Sequence, residues 1–202
     1  MGETERGPGF AAAIEVSLPA TRKALAALRA GDEVVLTGPV YTARDSTHER
    51  LLTELHLSGE LPHGLAGQTL FYAGPTPPAA GRPAGALGPT TSKRMDRATP
   101  ALLRAGIVAT IGKGPRSEEV RRACADNGAV YFAAVGGAAA LLATHVTDAE
   151  MVAYPELGAE ALMRLELDRF PAFVAIDACG ENLYLTVALE WRGAADADGG
   201  DA

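Results

Sequence analysis

The fold class is decided by residues 107–134, IVATIGKGPRSEEVRRACADNGAVYFAA. Ile107–Ile111 is an apolar run of strand length, and Ser117 followed by two glutamates opens a helical pattern that Asn127-Gly128 stops. Ala129–Ala134 is a second apolar run of strand length. Between the first run and the helix, Gly112-Lys113-Gly114-Pro115-Arg116 is too rich in Gly and Pro for regular structure. Strand, polar turn, helix, strand is the pattern of an α/β domain.

The alternation continues on both sides. Toward the N-terminus, Ala12–Leu18 reads as a strand and Thr21–Ala30 as a helix. Glu33–Thr37 reads as a buried strand ended by Gly38-Pro39, Asp45–Leu57 as a helix and Thr69–Ala73 as a strand. Residues 74–92, GPTPPAAGRPAGALGPTTS, form a loop dense in Gly and Pro. Thr99-Pro100 opens a helix, with Thr99 as N-cap and Pro100 at its first position. Toward the C-terminus Gly137–Ala143 is helical, and Glu150–Ala153, Leu165–Leu167, Phe173–Asp177 and Leu183–Leu189 are strand-like. These later strands exceed what a regular doubly wound sheet uses. The expectation is one α/β domain over 11–192, with 1–10 and the acidic tail 193–202 as disordered ends.

Composition narrows the function classes. The 202 residues, 48% hydrophobic and 21% charged, suit one soluble domain with its own core. No apolar run approaches the ~18–20 residues of a bilayer span, and MGETERGPGF lacks the basic and apolar regions of a signal peptide. The net charge is −7, of which residues 11–192 carry −3. A mildly acidic body without a basic stripe argues against a nucleic-acid partner, so an anionic ligand would need a local cluster of Arg and Lys. Cys124 and Cys179 are the only cysteines, which fits a reducing cytosol and no disulfide framework. Two thiols are too few to hold an iron–sulfur cluster, so any cluster comes from another chain.

Three segments place polar groups directly after an apolar strand, where α/β sheets bind ligands. The first is Tyr41–His48, in which Arg44 and His48 share a helix face and Asp45 stands at the helix start. The second is Gly88–Asp96, whose Thr90, Thr91 and Ser92 resemble an anion-binding helix N-terminus, with Arg94 one turn past Thr90. The third is Gly112–Ser117, where glycines flanking Lys113 allow a ligand close to the backbone. Each segment has an ordinary alternative: an Asp cap beside a solvated Arg, plain capping by Thr and Ser, or a polar turn. His56, His63 and His145 lack metal-ligand spacing, and Cys124 reads as a buried structural thiol.

Taken together, the segments resemble the small-subunit, or C-terminal, domain of class I fumarases and their tartrate dehydratase relatives. The resemblance runs from about Ala11 to Tyr184. It is carried by LTGPVYTARDSTHERL, FYAGPTP, GPTTSKRMD, GKGPRSEEV, YFAAVGGAAALLA, YPELGAEAL and LDRFPAFVAIDACGENLY, in family order. It implies a swivelling β/β/α-type fold, a mixed sheet flanked by helices. It also implies a hetero-oligomer in the cytoplasm, whose cluster-bearing alpha subunit holds a [4Fe-4S] cluster through three cysteines while this chain binds no metal. On this pattern Thr90 is the catalytic base, and Arg44, Arg94 and Lys113 bind the dicarboxylate, Arg94 and Lys113 also serving catalysis. Asp45 and His48 belong to the same substrate-binding motif. The implied reaction is reversible hydration of fumarate to malate. Dehydration of tartrate or another hydroxydiacid is the runner-up, and a non-catalytic dicarboxylate-binding module is the rival of another class.

Overall fold

A computed structural model describes residues 13–188, so the expected disordered ends at 1–10 and 193–202 lie outside the described residues. Four strands supply the parallel part of the sheet: β2 (Glu33–Thr42), β3 (Thr69–Phe71), β4 (Ala109–Gly112) and β5 (Val130–Ala133). β1 (Ile14–Ser17) adds in parallel along the first half of β2. β7 (Leu162–Ile176) runs antiparallel to β2, β5 and β6 (Val146–Ala153). The ladder β2–β3–β4–β5–β7 therefore returns to β2, closing five strands on themselves.

Alternation along these strands makes two cores. Val34, Leu36, Phe71, Ile111, Phe132 and Phe170 belong to one apolar cluster. Leu70, Tyr72, Tyr131 and Ala175 belong to the other, with helical Leu51, Leu102 and Val120. Those helices are α2 (Asp45–Ser58), α3 (Thr99–Ala105) and α4 (Glu118–Asn127); α1 (Arg22–Ala26) and α5 (Ala139–Leu142) are short. The α/β class with a mixed sheet and flanking helices is as expected. α4 has the predicted ends: the Ser117 hydroxyl accepts from Val120 N–H, and Gly128 closes the helix at φ 58°.

Several boundaries differ from the sequence reading. β2 does not stop at Gly38-Pro39 but continues to Thr42. Pro39 falls in the gap between the pairings to β1 and to β3, where an edge lacks a partner and a missing N–H is tolerated. Gly38, at φ 120°, lies so close to the Leu18 carbonyl that a Cβ would collide with it. Opposite this point Arg169 adopts φ 49° and its N–H donates to Thr37 Oγ1 at 3.1 Å, a bulge that bends both strands. Leu165–Leu167 and Phe173–Asp177, expected as separate strands, are therefore one strand with a bulge at Asp168–Arg169. Residues 183–188, expected as strand, are helical. Thr99 lies inside α3, which Ala98 caps, and its hydroxyl donates to the Met95 carbonyl at 2.9 Å.

Candidate active site

Because β2 to β5 are mutually parallel, their C-terminal ends open on one edge. Onto that edge come the turns Ala43–Asp45, Tyr72–Gly74, Lys113–Gly114 and Ala134–Gly137, as expected for a ligand site in such a sheet. Residues 89–92 lie across it as an extra strip of backbone. Thr90 N–H donates to the Tyr72 carbonyl at 2.6 Å, and Lys113 N–H donates to the Thr90 carbonyl at 3.3 Å. Ser92 N–H returns a bond to the Lys113 carbonyl at 2.9 Å, so Thr91 is bridged in parallel to Lys113, with Thr90 next to it in the strip. Gly112 makes this approach possible, since a Cβ there would run into Ser92 Oγ. Lys113 Cδ would lie 3.4 Å from a Cβ at Gly136, so the lysine stem lies close to that glycine.

The helical turn expected to join Thr90 to Arg94 is not α-helical. Thr90 is in the bridged strip, and only Ser92–Met95 turns, as one 3-10 turn. Arg94 instead reaches α2: its Nε donates to Asp45 Oδ1 at 3.0 Å, and its Nη2 lies 2.8 Å from Oδ2. Arg44, at the N-cap of α2, lies 3.4 Å from Glu160 through Nη2, while its Nε is buried without a partner. Gly74 leaves room for it, since a Cβ there would lie 3.2 Å from Arg44 Cδ. Glu160 Oε2 also accepts Ser46 N–H at 2.8 Å, and the Glu160 carbonyl accepts from the Thr47 hydroxyl. Thus Arg44, Asp45 and Arg94 are linked in one cluster on the edge that carries Thr90 and Lys113.

His48 sits behind them, 2% exposed. Its Nδ1 donates to the Arg44 carbonyl at 2.7 Å, its ring meets Tyr72 edge to face at 5.2 Å, and its Nε2 has no partner. Burial lowers its pKa to about 4, so at neutral pH it offers a lone pair and no charge. The stability consequence follows from that direction. The unfolded chain protonates His48 near 6.5 and the folded chain only near 4, so falling pH favours unfolding across that window. We expect up to about 3 kcal/mol of stability to disappear between pH 6.5 and 4, and His48→Gln to lose most of that slope. Urea midpoints at stepped pH check it; equal slopes for both proteins would contradict a neutral buried His48.

One structural support of this edge escaped the sequence reading. Arg116, its side chain 0% exposed, donates from Nε to Asp96 Oδ1 at 2.6 Å and from Nη2 to Thr99 Oγ1 at 2.8 Å. Its guanidinium carbon lies 5.2 Å from the Tyr72 ring centre and 4.8 Å from that of Tyr131. Asp96 Oδ2 accepts Ser117 N–H at 2.6 Å, and Tyr131 OH donates to the Gly114 carbonyl at 2.8 Å. This buried pair therefore fastens the Lys113 turn to the segment carrying Thr90 and Arg94. Its only sequence signal was an Arg and an Asp inside two candidate motifs, both residue types that are ordinarily exposed. Cys124 is buried, which pushes its thiol up to about 12 and keeps it out of nucleophilic chemistry. The chain has two cysteines, fewer than the three or four that usually hold an iron–sulfur cluster, and among the described residues no group of three or more His, Cys, Asp and Glu is placed to hold a metal ion.

Residues 3–187 match the family model described as fumarase C-terminus. The chain is 36% identical over 185 residues to the anaerobic class I fumarate hydratase of Escherichia coli K12, covering 89% of this chain and 34% of that protein. It is 34% identical over 165 residues to fumarate hydratase 2 of Leishmania major, covering 81% of this chain and 29% of that protein. A Methanocaldococcus jannaschii protein provisionally named L(+)-tartrate dehydratase subunit beta is 37% identical over 170 residues, covering 81% of this chain and 87% of that protein. The chain thus spans about a third of the fumarate hydratases and most of the tartrate dehydratase subunit.

Proposed function

The chain belongs to the fumarase C-terminus family, and from that premise we propose that it is the beta subunit of a two-chain hydro-lyase that reversibly hydrates fumarate to malate. One observation carries the reading. On a single sheet edge, Arg44 Nε is buried without a partner, and among the described residues the Lys113 ammonium and Thr90 hydroxyl make no side-chain hydrogen bond or ion pair. Buried or crowded donors left open in this way suit an anion that is to be added. The finer fold assignment, the swivelling β/β/α type, belongs to the same proposal.

The residues divide the work as follows. Arg44 and Arg94 grip the carboxylates of the diacid, Arg44 through its open Nε. Thr90 moves the proton on the carbon next to one carboxylate, and negative charge then builds on that carboxylate as an aci-form. Lys113, on the same edge and bonded to the Thr90 carbonyl through its backbone, stabilises this charge. A Thr hydroxyl is a very weak acid, so its role as base depends on the cationic character of the edge, to which the Lys113 ammonium contributes. Neutral His48 is suited to accept a hydrogen bond through Nε2 and not to pair with a carboxylate. The family's iron–sulfur cluster supplies Lewis-acid polarisation, and its ligands belong to a separate alpha subunit, since this chain's donors do not fit it. A cytoplasmic location suits two free thiols.

A tartrate dehydratase is the second reading, favoured by the relative whose length this chain largely covers. A non-catalytic dicarboxylate-binding module is the reading from another class. The test is anaerobic co-expression with a larger neighbouring gene product bearing three separated cysteines, then assay on fumarate, malate and tartrate. We expect turnover only from the pair. Hydratase turnover by this chain alone, after anaerobic iron–sulfide reconstitution, would refute the two-subunit reading, and a pair that binds diacids without turnover would favour the module.

A further inference from the structure

We propose that Asp45 is a positioning residue that fixes Arg94 from behind and is not itself a ligand of the diacid; the inference rests on the dicarboxylate reading above. The pair is side-on: Nε donates to Oδ1 at 3.0 Å, and Nη2 lies 2.8 Å from Oδ2 as an ion-pair contact without a hydrogen bond to that oxygen. A guanidinium has five N–H donors, and this geometry uses one edge, leaving the Nη1 edge for an incoming carboxylate. Asp45 is the first residue of α2 and follows Arg44, which Glu160 holds, so the acceptor is anchored. Arg94 is not. It stands on a single 3-10 turn, with a side chain 51% exposed and no other side-chain partner among the described residues. Asp45 repels a substrate carboxylate directly, but placed behind the guanidinium it selects one rotamer of a long, flexible side chain.

The charges make this role separable from others. Arg44, Arg94 and Lys113 face two carboxylates, Asp45 and Glu160, so the cluster is one positive charge in excess. Asp45→Asn adds net attraction for a diacid while releasing Arg94. Binding and turnover should therefore separate: KM stays equal or falls, kcat falls by about 10–100-fold, and Asp45→Glu recovers most of kcat. Three results in the assembled pair would overturn the proposal. Lower KM with unchanged kcat makes Asp45 a competitor of the substrate, higher KM with unchanged kcat makes it a ligand, and a lower Tm with unchanged kinetics makes it a cross-link. A second measurement needs no turnover. In the chain alone, the Arg94 Nε–H NMR signal should be protected from solvent exchange in the wild type and Asp45→Glu, and exchange-broadened in Asp45→Asn. Equal protection in Asp45→Asn overturns the positioning role. A wild-type pair inactive on every diacid overturns the hydro-lyase reading instead, and the NMR comparison still decides the role of Asp45.

Discussion

Lys113→Met in the assembled enzyme should lower kcat by about 10²–10³-fold while leaving Tm nearly unchanged. Met keeps an unbranched apolar stem of similar length, so the packing near Gly136 survives. What disappears is the ammonium. Among the described residues it makes no ion pair within the chain, so its loss orphans no partner and costs the fold little. The backbone of Lys113 continues to pair with Thr90 and Ser92, which holds the turn in place. The loss therefore falls on the charge developing on the substrate carboxylate. Steady-state kinetics beside a thermal melt check it. A variant with normal kcat and a lower Tm would make Gly112-Lys113-Gly114 a structural turn.

Thr90→Val should lower kcat by about 10²-fold or more with KM little changed. Valine keeps the β-branched shape in an extended strip, and both Thr90 backbone bonds, to Tyr72 and Lys113, are independent of the side chain. The Thr90 hydroxyl caps no helix: the following 3-10 turn has Thr91 at its N-cap, without a side-chain cap bond. Deleting the hydroxyl thus removes chemistry and leaves architecture. Near-normal kcat in Thr90→Val would pass the role of base to another group.

Local signals were legible where local physics decides the outcome. The Ser117 cap, the Gly128 stop and the apolar runs before Lys113 and after Asn127 specify strand–helix–strand without help from the rest of the chain. The candidate residues Arg44, Asp45, Thr90, Arg94 and Lys113 were found because each follows a strand or opens a turn. What was hidden depends on partners distant in sequence. Gly38-Pro39 looks like a strand end, and only the antiparallel β7 and the gap between β1 and β3 make it passable. Asp168–Arg169 looks like a break in β7 until its bulge opposite Thr37 is known. Arg116 looks like a solvated cation, and its burial depends on two tyrosines and Asp96 from three other segments. Glu160, more than 100 residues from Arg44, gave no signal of the contact it makes.

The closure of the strand ring by β7 also fixes an order of events in biosynthesis. The β2–β7 pairs join positions such as Tyr41 and Arg164, or Glu33 and Phe173, across most of the described chain. Contacts this far apart in sequence carry a large loop-closure cost and slow the folding search. On the ribosome, β2 through β5 can emerge and begin to associate, but the edges of β2 and β5 that β7 covers stay open until β7 is made. During that interval the nascent chain exposes unpaired backbone, the condition under which strands associate between molecules. The cluster of Arg44, Asp45 and Arg94 inherits the same timing. Glu160 lies two residues before the start of β7, so its hold on Arg44 is made in the step that closes the ring.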